Sequence, residues 1–272
     1  MSGVFFHFTR AFDFLFAPFD SLHPAAGLAV VSFFAGVAML LVFRFTSNQK
    51  EIRRVKDRIQ AHLLAGGLFQ DDLGVVLRSH ARAVRATLGY MKHSLLPLAV
   101  MLIPIAWLLV QLDLRLGWLP LKPGEPFLLT ARVADPASLQ QLSLRLPEGL
   151  TQTAPPLRIA PDREIDFRLQ AGKPGDYTVE VQFAGQTFTK QITVAGHLPR
   201  LSFARVRADL LDAFLNPGEP PFAADAPLEA IEINYRRRSI PFAGFRADWL
   251  VHFFLLSLVS GFALKGFLRT EI

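Results

Sequence analysis

Long uncharged runs alternate with charged, periodic segments along this chain. Two runs of nineteen residues, residues 25–43 and residues 94–112, carry no charge and flank a basic segment at residues 44–93. As a helix, each run would span roughly 28 Å, close to the ~30 Å hydrocarbon core of a bilayer. A third uncharged run starts at Trp249, and we expect it to form a span over residues 249–268. The pattern predicts an α-helical membrane protein with three transmembrane helices.

Residues 1–24 are rich in phenylalanine. Seven phenylalanines stand among a few charged residues, Arg10, Asp13 and Asp20, a composition typical of a helix that lies in the membrane interface. A secretory signal peptide would carry its basic residues before the apolar run, whereas here the basic cluster follows it. Pro24 stands where a helix can begin, because its missing N–H is not needed in the first turn. We therefore expect the first span to be retained as an anchor.

The basic segment has the periodicity of two helices. Apolar residues recur at helical spacing in each half: Ile52, Val55, Ile59 and Leu63, then Leu73, Val76, Leu77, Val84, Leu88 and Met91. Gly66-Gly67 separates the halves and predicts the turn between them. Two antiparallel helices joined in this way form a short coiled-coil hairpin. The alternative is a solvated loop that only fixes the topology, but such a loop would not need periodic apolar faces.

Two prolines in the second apolar run predict a bent helix. Pro97 and Pro104 are seven residues apart, so they lie on the same helical face, where each removes a backbone hydrogen bond. A membrane tolerates such breaks where neighbouring helices or water satisfy the freed carbonyls. Two interpretations stay open: the bend shapes a cavity, or it belongs to an ordinary bent span.

Between Leu119 and Gly196 the apolar pattern has period two, with turn residues at the breaks. The predicted strands are Phe127–Val133, Leu142–Leu146, Leu157–Ile159, Glu164–Leu169, Tyr177–Phe183 and Phe188–Val194. Short strands at this spacing predict an inserted β-sandwich of immunoglobulin-like type over residues 119–200. Residues 201–248 form a connecting segment, in which we expect a short helix at Phe203–Leu215 and a strand at Leu228–Tyr235.

The net charge of the chain belongs to the basic segment. Residues 44–93 carry ten basic and four acidic residues, and their excess of +6 equals the net charge of the whole chain. The predicted cytoplasmic basic hairpin includes Lys50, Arg53, Arg54, Lys56, Arg58, Arg78, Arg82 and Arg85. Loops rich in Lys and Arg stay in the cytoplasm, which predicts an outside N-terminus, an extracytoplasmic β-sandwich and an inside C-terminus. Three consecutive arginines at positions 236–238, shortly before the third span, oppose this topology.

Little in the sequence points to catalysis. The chain has no cysteine, and it contains no nucleotide-binding loop, zinc-protease motif or paired-carboxylate cluster. His62 and His80 could face each other across the hairpin, but two imidazoles without a third ligand are more often surface residues than a metal site. We therefore expect no catalytic residue, no metal, no cofactor and no enzyme activity. DNA is not an expected partner either, because the net positive charge belongs to one loop.

Two segments resemble the YidC/Oxa/Alb insertase superfamily. Residues 46–59, TSNQKEIRRVKDRI, resemble the start of that family's cytoplasmic coiled coil. Residues 90–105, YMKHSLLPLAVMLIPI, are similar to the proline-containing span that follows the coiled coil. The closest likeness is to the minimal archaeal YidC-like proteins and the related subunit of the ER membrane complex. Here the β-domain lies between the second and third spans, whereas bacterial YidC carries its periplasmic domain between its first two spans.

The resemblance implies a hydrophilic groove in the membrane that is open to the cytosol. Hydrophobic segments of nascent or small membrane proteins would enter the lipid bilayer through it, because a wet groove lowers the cost of moving polar backbone and charged flanks. The groove candidates in this sequence are Arg44, Gln111, Ser257 and Ser260. A ribosome or a partner membrane subunit is a further expected partner, and the expected location is the cytoplasmic membrane of a prokaryote.

The alternative is a non-catalytic membrane scaffold or accessory subunit. Its β-sandwich would bind an extracytoplasmic partner, and its hairpin would bind a cytoplasmic one. Arg44 would then be a boundary residue that reaches the cytoplasmic phosphates.

Overall fold

The computed structural model describes residues 3–19, 23–47, 49–68, 73–195, 200–242 and 244–267. The chain divides into two compact units. The β-unit comprises Met1–Gly27 and Trp107–Trp249, and the helical unit comprises Leu28–Ala106 and Leu250–Ile272.

The helices fall where the sequence has apolar runs or helical periodicity. Their bounds are α1 (Gly3–Phe16), α2 (Pro24–Thr46), α3 (Gln49–Leu68), α4 (Leu73–Leu116), α5 (Leu210–Leu215) and α6 (Trp249–Leu264). Short 3-10 helices lie at Ala17–Phe19 and Pro136–Gln141. α1 falls within the predicted interfacial segment, and α2 begins at the proline that the sequence marks as a start.

Within the described residues, two helical stretches are long and apolar enough to cross a membrane: Pro24–Thr46 and Leu98–Leu116. They correspond to the first two predicted spans. Only 28% and 17% of their most apolar windows are buried inside the protein, so most of their apolar side chains face outward. Such surface is costly in water but not in lipid. α6 is also apolar, but its 16 residues make it shorter than the ~20 that a span usually has.

Two predicted helix boundaries are wrong. α4 is one helix of 44 residues, so the predicted second half of the hairpin and the predicted second span belong to the same helix. Polarity changes near residue 94, but polarity alone does not end a helix. α3 also continues through Gly66-Gly67, because glycine in a helix costs only ~1 kcal/mol relative to alanine. Pro97 and Pro104 both lie inside α4, and the bend that they predict stays a prediction.

The β-unit is built from antiparallel strands. They are β1 (Trp118–Leu119), β2 (Pro126–Val133), β3 (Ser143–Arg145), β4 (Leu150–Gln152), β5 (Leu157–Ile159), β6 (Glu164–Ala171), β7 (Gly175–Phe183), β8 (Gln186–Val194), β9 (Ala204–Val206), β10 (Leu228–Ile233), β11 (Arg236–Arg237), β12 (Ser239–Phe242) and β13 (Phe245–Asp248). The larger sheet has the order β4-β6-β2-β10-β9, with β5 also on β6, and a second sheet has the order β3-β7-β8. β1 pairs with β11, and β12 pairs with β13. The prediction of a β-rich antiparallel domain is confirmed.

The larger sheet and the β3-β7-β8 sheet contribute to one hydrophobic core. Every second residue of β2 from Phe127 to Val133 is buried, and β6 repeats this alternation. The alternation follows from the period of two in the sequence, since successive side chains of a strand point to opposite faces. Leu129 from the first sheet and Val181 from the second are both inaccessible to solvent in this core.

Within residues 201–248, β9 and β10 belong to the larger sheet. β10 lies between β2 and β9 and pairs with both. The helix predicted at Phe203–Leu215 is present only as α5, because its first part is extended and forms β9. The strands therefore continue well past the domain boundary predicted at residue 200.

Candidate functional site: the polar end of α4

The last turns of α4 carry three polar residues, Gln111, Asp113 and Arg115. Gln111 is inaccessible to solvent. Its Nε2 donates to Thr9 Oγ1 of α1 at 2.9 Å, and its Oε1 accepts from Arg115 Nη1 at 3.0 Å. The spacing of four residues places Gln111 and Arg115 on the same face of α4. This face is therefore the one that α1 covers.

Asp13 of α1 binds two guanidinium groups. Arg115 Nη2 lies 2.6 Å from Asp13 Oδ1, and Arg200 Nη1 donates to Asp13 Oδ2. The Arg115 side chain is 5% exposed, and its guanidinium lies 4.6 Å from the centroid of the Phe16 ring. A buried cation is costly unless it is paired. α1 thus supplies the counter-charge for the end of α4.

A second carboxylate, Asp113, joins several segments of the β-unit. Its Oδ2 accepts from Trp118 Nε1 at 3.0 Å, and its Oδ1 accepts from Trp249 Nε1 at 3.3 Å and from Arg237. The Arg237 guanidinium also lies over the Trp118 ring, 3.9 Å from its centroid. These contacts connect the end of α4 with β1, with β11 and with the first residue of α6.

Two of the three consecutive arginines at positions 236–238 form ion pairs within the β-unit. Arg236 pairs with Glu125, and Arg237 pairs with Asp113. Arg238 is half-buried, and desolvation lowers the pKa of its guanidinium. The fold therefore gives Arg236 and Arg237 a structural role, apart from the effect of their charge on topology.

A cavity of about 180 Å³ lies beside Asp13 and Arg200. Its other lining residues are Gln191, Thr193, Ser202, Gly218 and Tyr235. Tyr235 Oη accepts the backbone N–H of Thr193 at 3.0 Å, and burial raises the pKa of the phenol. The cavity has room for several waters at ~30 Å³ each, but it is smaller than the ~300 Å³ at which small-molecule sites usually begin.

Lys190 and Glu219, which neighbour the cavity lining in sequence, form a buried ion pair. Lys190 is 0% exposed, and its Nζ donates to a Glu219 carboxylate oxygen and to Ser202 O, the latter at 2.6 Å. Glu219 Oε2 accepts the backbone N–H of Gln191 at 3.1 Å. Burial lowers the pKa of Lys190, and the nearby Glu219 opposes this shift. The pair joins β8 to the segment that precedes β10.

These groups form a network of two carboxylates and three guanidinium groups, which we call the polar junction. It comprises Thr9, Asp13, Gln111, Asp113, Arg115, Arg200 and Arg237. Each of its carboxylates binds at least one guanidinium, an arrangement suited to holding elements together rather than to transferring a proton to a substrate. Within the described part of the chain, no three His, Asp or Glu side chains are grouped so that they could hold a metal ion.

The predicted groove residues are divided between the two units. Gln111 belongs to the polar junction. In the helical unit, the hydroxyls of Ser257 and Ser260 donate to carbonyls of their own helix at 3.1 and 2.7 Å. Ser257 is buried where α6 meets Gly36 of α2, whereas Arg44 is exposed in the last turn of α2. Eight residues of helix, roughly 12 Å, therefore separate Arg44 from the contact with Ser257.

The described side chains of the basic hairpin are exposed: Lys50, Arg53, Arg54, Arg58, Arg78, Arg82 and Arg85. Pro104 is exposed as well, while the side chains of Lys56, His62, His80 and Pro97 lie outside the described residues. Part of the predicted coiled-coil face is also exposed, namely Leu77, Val84, Leu88 and Met91. The predicted coiled-coil contact therefore does not cover these four side chains.

No protein-family model matches this chain, and no curated protein or solved structure is significantly similar to it. The likeness to the insertase superfamily accordingly rests on residues 46–59 and 90–105 alone.

Sequence reasoning missed the polar junction because its partners are far apart in the chain. Asp13 is 102 residues from Arg115 and 187 residues from Arg200. One local signal was available. Asp113 and Arg115 directly follow an apolar run, and charged groups at the end of a span need partners or water.

Proposed function

We propose that this chain is a YidC-like membrane-protein insertase or biogenesis factor of the prokaryotic cytoplasmic membrane. α2, the later part of α4, and α6 are its three spans, the hairpin of α3 and α4 is cytoplasmic, and the strands form an extracytoplasmic immunoglobulin-like sandwich. Its clients are nascent or small membrane proteins, delivered with a ribosome or a partner membrane subunit.

The observation that carries this proposal is the exposed apolar stripe on the first half of α4. Its members, Leu77, Val84, Leu88 and Met91, are separated by seven, four and three residues and so share one face. Arg78, Arg82 and Arg85 are exposed on the adjoining face of the same helix. A hydrophobic client segment fits the stripe, and an acidic flank of that client fits the arginines.

The continuity of α4 supports a path from the cytoplasm into the lipid. The helix that carries the stripe runs without a break into the candidate span Leu98–Leu116. A client that leaves the stripe can thus follow one helix into the membrane. The short α6 supports the same proposal, because a short span favours a locally thinned bilayer, which lowers the barrier to insertion.

Arg44 is the groove candidate that we retain. It is exposed in the last turn of α2, where the cation attracts acidic client flanks. Ser257, Ser260 and Gln111 already use their side chains in hydrogen bonds within the protein, so a role in a wet groove is less favoured for them.

The second candidate function is a non-catalytic membrane scaffold. The polar junction favours it, since a network of ion pairs that fixes α1 and α4 to the strands suits a rigid support for an extracytoplasmic partner. In that function the hairpin serves one cytoplasmic partner rather than many clients.

An insertion assay with the full chain in liposomes tests the proposal. The client is a short protein with one hydrophobic segment and acidic flanks, and insertion is read as protection from added protease. We expect Leu77→Ser/Leu88→Ser to lower the insertion rate about tenfold, because the loss of ~1.5 kcal/mol of apolar contact corresponds to that factor. Leu157→Ser is the matched control, since Leu157 is equally exposed but lies on β5.

The same assay separates the two functions. Arg44→Ala should lower insertion about fivefold, the effect of ~1 kcal/mol of charge attraction, while Arg44→Lys should not. If liposomes with the protein insert no more client than empty liposomes, and the protein copurifies with one stable complex, it is a scaffold and the insertase proposal fails.

A further inference from the structure

Three leucines of the short helix α5 are exposed. Leu210 and Leu211 are each 63% exposed and Leu215 is 48% exposed, although α5 has only six residues. Protein surfaces that face water rarely group large apolar side chains so densely, and such patches mark a contact with another protein or with a membrane.

Phe214, on the same side of α5 as the leucines, packs directly on α1 and α4. The Phe214 ring lies 5.5 Å from the Phe5 ring of α1 and 5.5 Å from the Trp107 ring of α4, measured between centroids. Asp209 caps the helix by accepting the backbone N–H of Leu211 at 3.2 Å. α5 is thus fixed to a helix that is itself a candidate span.

Trp107 sets the depth of α5 relative to a bilayer. It lies in the candidate span Leu98–Leu116, one turn before Gln111, which is the first polar residue after it. Tryptophan near the polar end of a span is typical of the headgroup level, where its ring is half in lipid and half in water. Because Phe214 contacts Trp107, α5 lies at the same level.

We propose that α5 is a membrane-contacting helix. Leu210, Leu211 and Leu215 enter the headgroup region of the phospholipid leaflet and seat the β-unit on the bilayer surface. The phospholipid leaflet is the occupant because the leucine patch is continuous, through Phe214 and Trp107, with a helix whose own outer surface suits lipid. α1 adds exposed Phe8 and Phe14 to the apolar surface of the β-unit. This inference needs α4 to cross the membrane, but it does not depend on insertase activity.

Single-cysteine spin labelling of the full chain tests the proposal, since the protein has no cysteine of its own. Leu211→Cys and, separately, Leu157→Cys carry a nitroxide label in liposomes of phosphatidylcholine and phosphatidylglycerol. Leu157 is 61% exposed on β5 and is therefore a matched control. Leu215→Cys serves as a second site on α5. Collisions of the label with oxygen, which concentrates in lipid, are compared with collisions with a water-soluble nickel complex.

We expect the ratio of oxygen to nickel collisions at Leu211 and Leu215 to exceed the ratio at Leu157 severalfold. A nickel accessibility at both α5 sites equal to that at Leu157 would mean that α5 faces water, and it would overturn the proposal. Spin–spin broadening that grows with the protein-to-lipid ratio would show that a second copy covers the leucines, and it would also overturn the proposal.

Discussion

Lys190 occupies an inward position of β8, between the buried residues Phe188 and Ile192. The side chains of alternate residues point to the same face of a strand, so the alternation of β8 directs this lysine into the protein. A lysine at an apolar position is a sequence signal for a buried pair. Its partner Glu219, in contrast, lies 29 residues away in a segment without regular structure, and only the fold reveals it.

The pH dependence of stability should report this pair. Burial lowers the pKa of folded Lys190 below its ordinary value of 10.5, so in the interval between the two values the folded chain holds fewer protons than the unfolded chain. Stability therefore rises with pH across that interval. Glu219→Gln removes the charge that raises the pKa of Lys190, which extends the interval to lower pH. We expect this variant to lose about 3–5 kcal/mol near neutral pH and to recover part of the loss at alkaline pH.

Thermal unfolding of the full chain in detergent, from about pH 6 to about pH 10, measures this effect. Lys190→Met/Glu219→Leu is the control, because it removes both charges and should lose less stability, with no recovery at high pH. A loss in Glu219→Gln that is the same at every pH would show that Lys190 does not titrate in this way.

At the scale of elements, periodicity predicted most helices and strands but not where they end or pair. Residues with period two became strands, yet the central position of β10, beside β2, depends on a pairing about a hundred residues apart along the chain. Sequence periodicity carries no information on such pairings. The boundary predicted inside α4 is wrong for another reason. A change from polar to apolar residues does not by itself end a helix.

Gly36 lets α2 and α6 approach closely within the helical unit. A Cβ atom at Gly36 would lie 2.5 Å from Ser257 O and 3.2 Å from Ser257 Cα, both backbone atoms of α6. Small residues at such crossings allow helices in membranes to pack backbone to backbone. The sequence does not single out Gly36, because its role depends on α6, more than two hundred residues later.

Alanine substitution should reveal this contact. Gly36→Ala forces the backbones of α2 and α6 apart, and we expect it to destabilise the protein by about 1–3 kcal/mol, as overpacking usually does. Gly261→Ala is the matched control in α6, where an added Cβ meets nothing within 4 Å and alanine favours the helix by up to ~1 kcal/mol. Thermal unfolding in detergent compares the two variants. Equal melting temperatures for both would contradict the close crossing.

For the whole molecule, the distribution of charge supports the proposed topology. The excess positive charge lies in residues 44–93, as expected of a cytoplasmic hairpin. The arginine triplet at positions 236–238 opposes this topology by its charge. Within the β-unit, however, Arg236 pairs with Glu125 and Arg237 pairs with Asp113. In the proposed topology, the hairpin and the β-unit therefore lie on opposite sides of one membrane.

Thiol labelling at two positions tests directly whether the hairpin and the β-unit lie on opposite sides of the membrane. Gln60 of α3 and Gln186 of β8 are both exposed glutamines, and the chain has no other cysteine that could react once either is replaced. In sealed right-side-out vesicles with a membrane-impermeant maleimide, we expect Gln186→Cys to be labelled at once and Gln60→Cys only after detergent is added. Labelling of both variants from the same side of the sealed membrane would contradict the account.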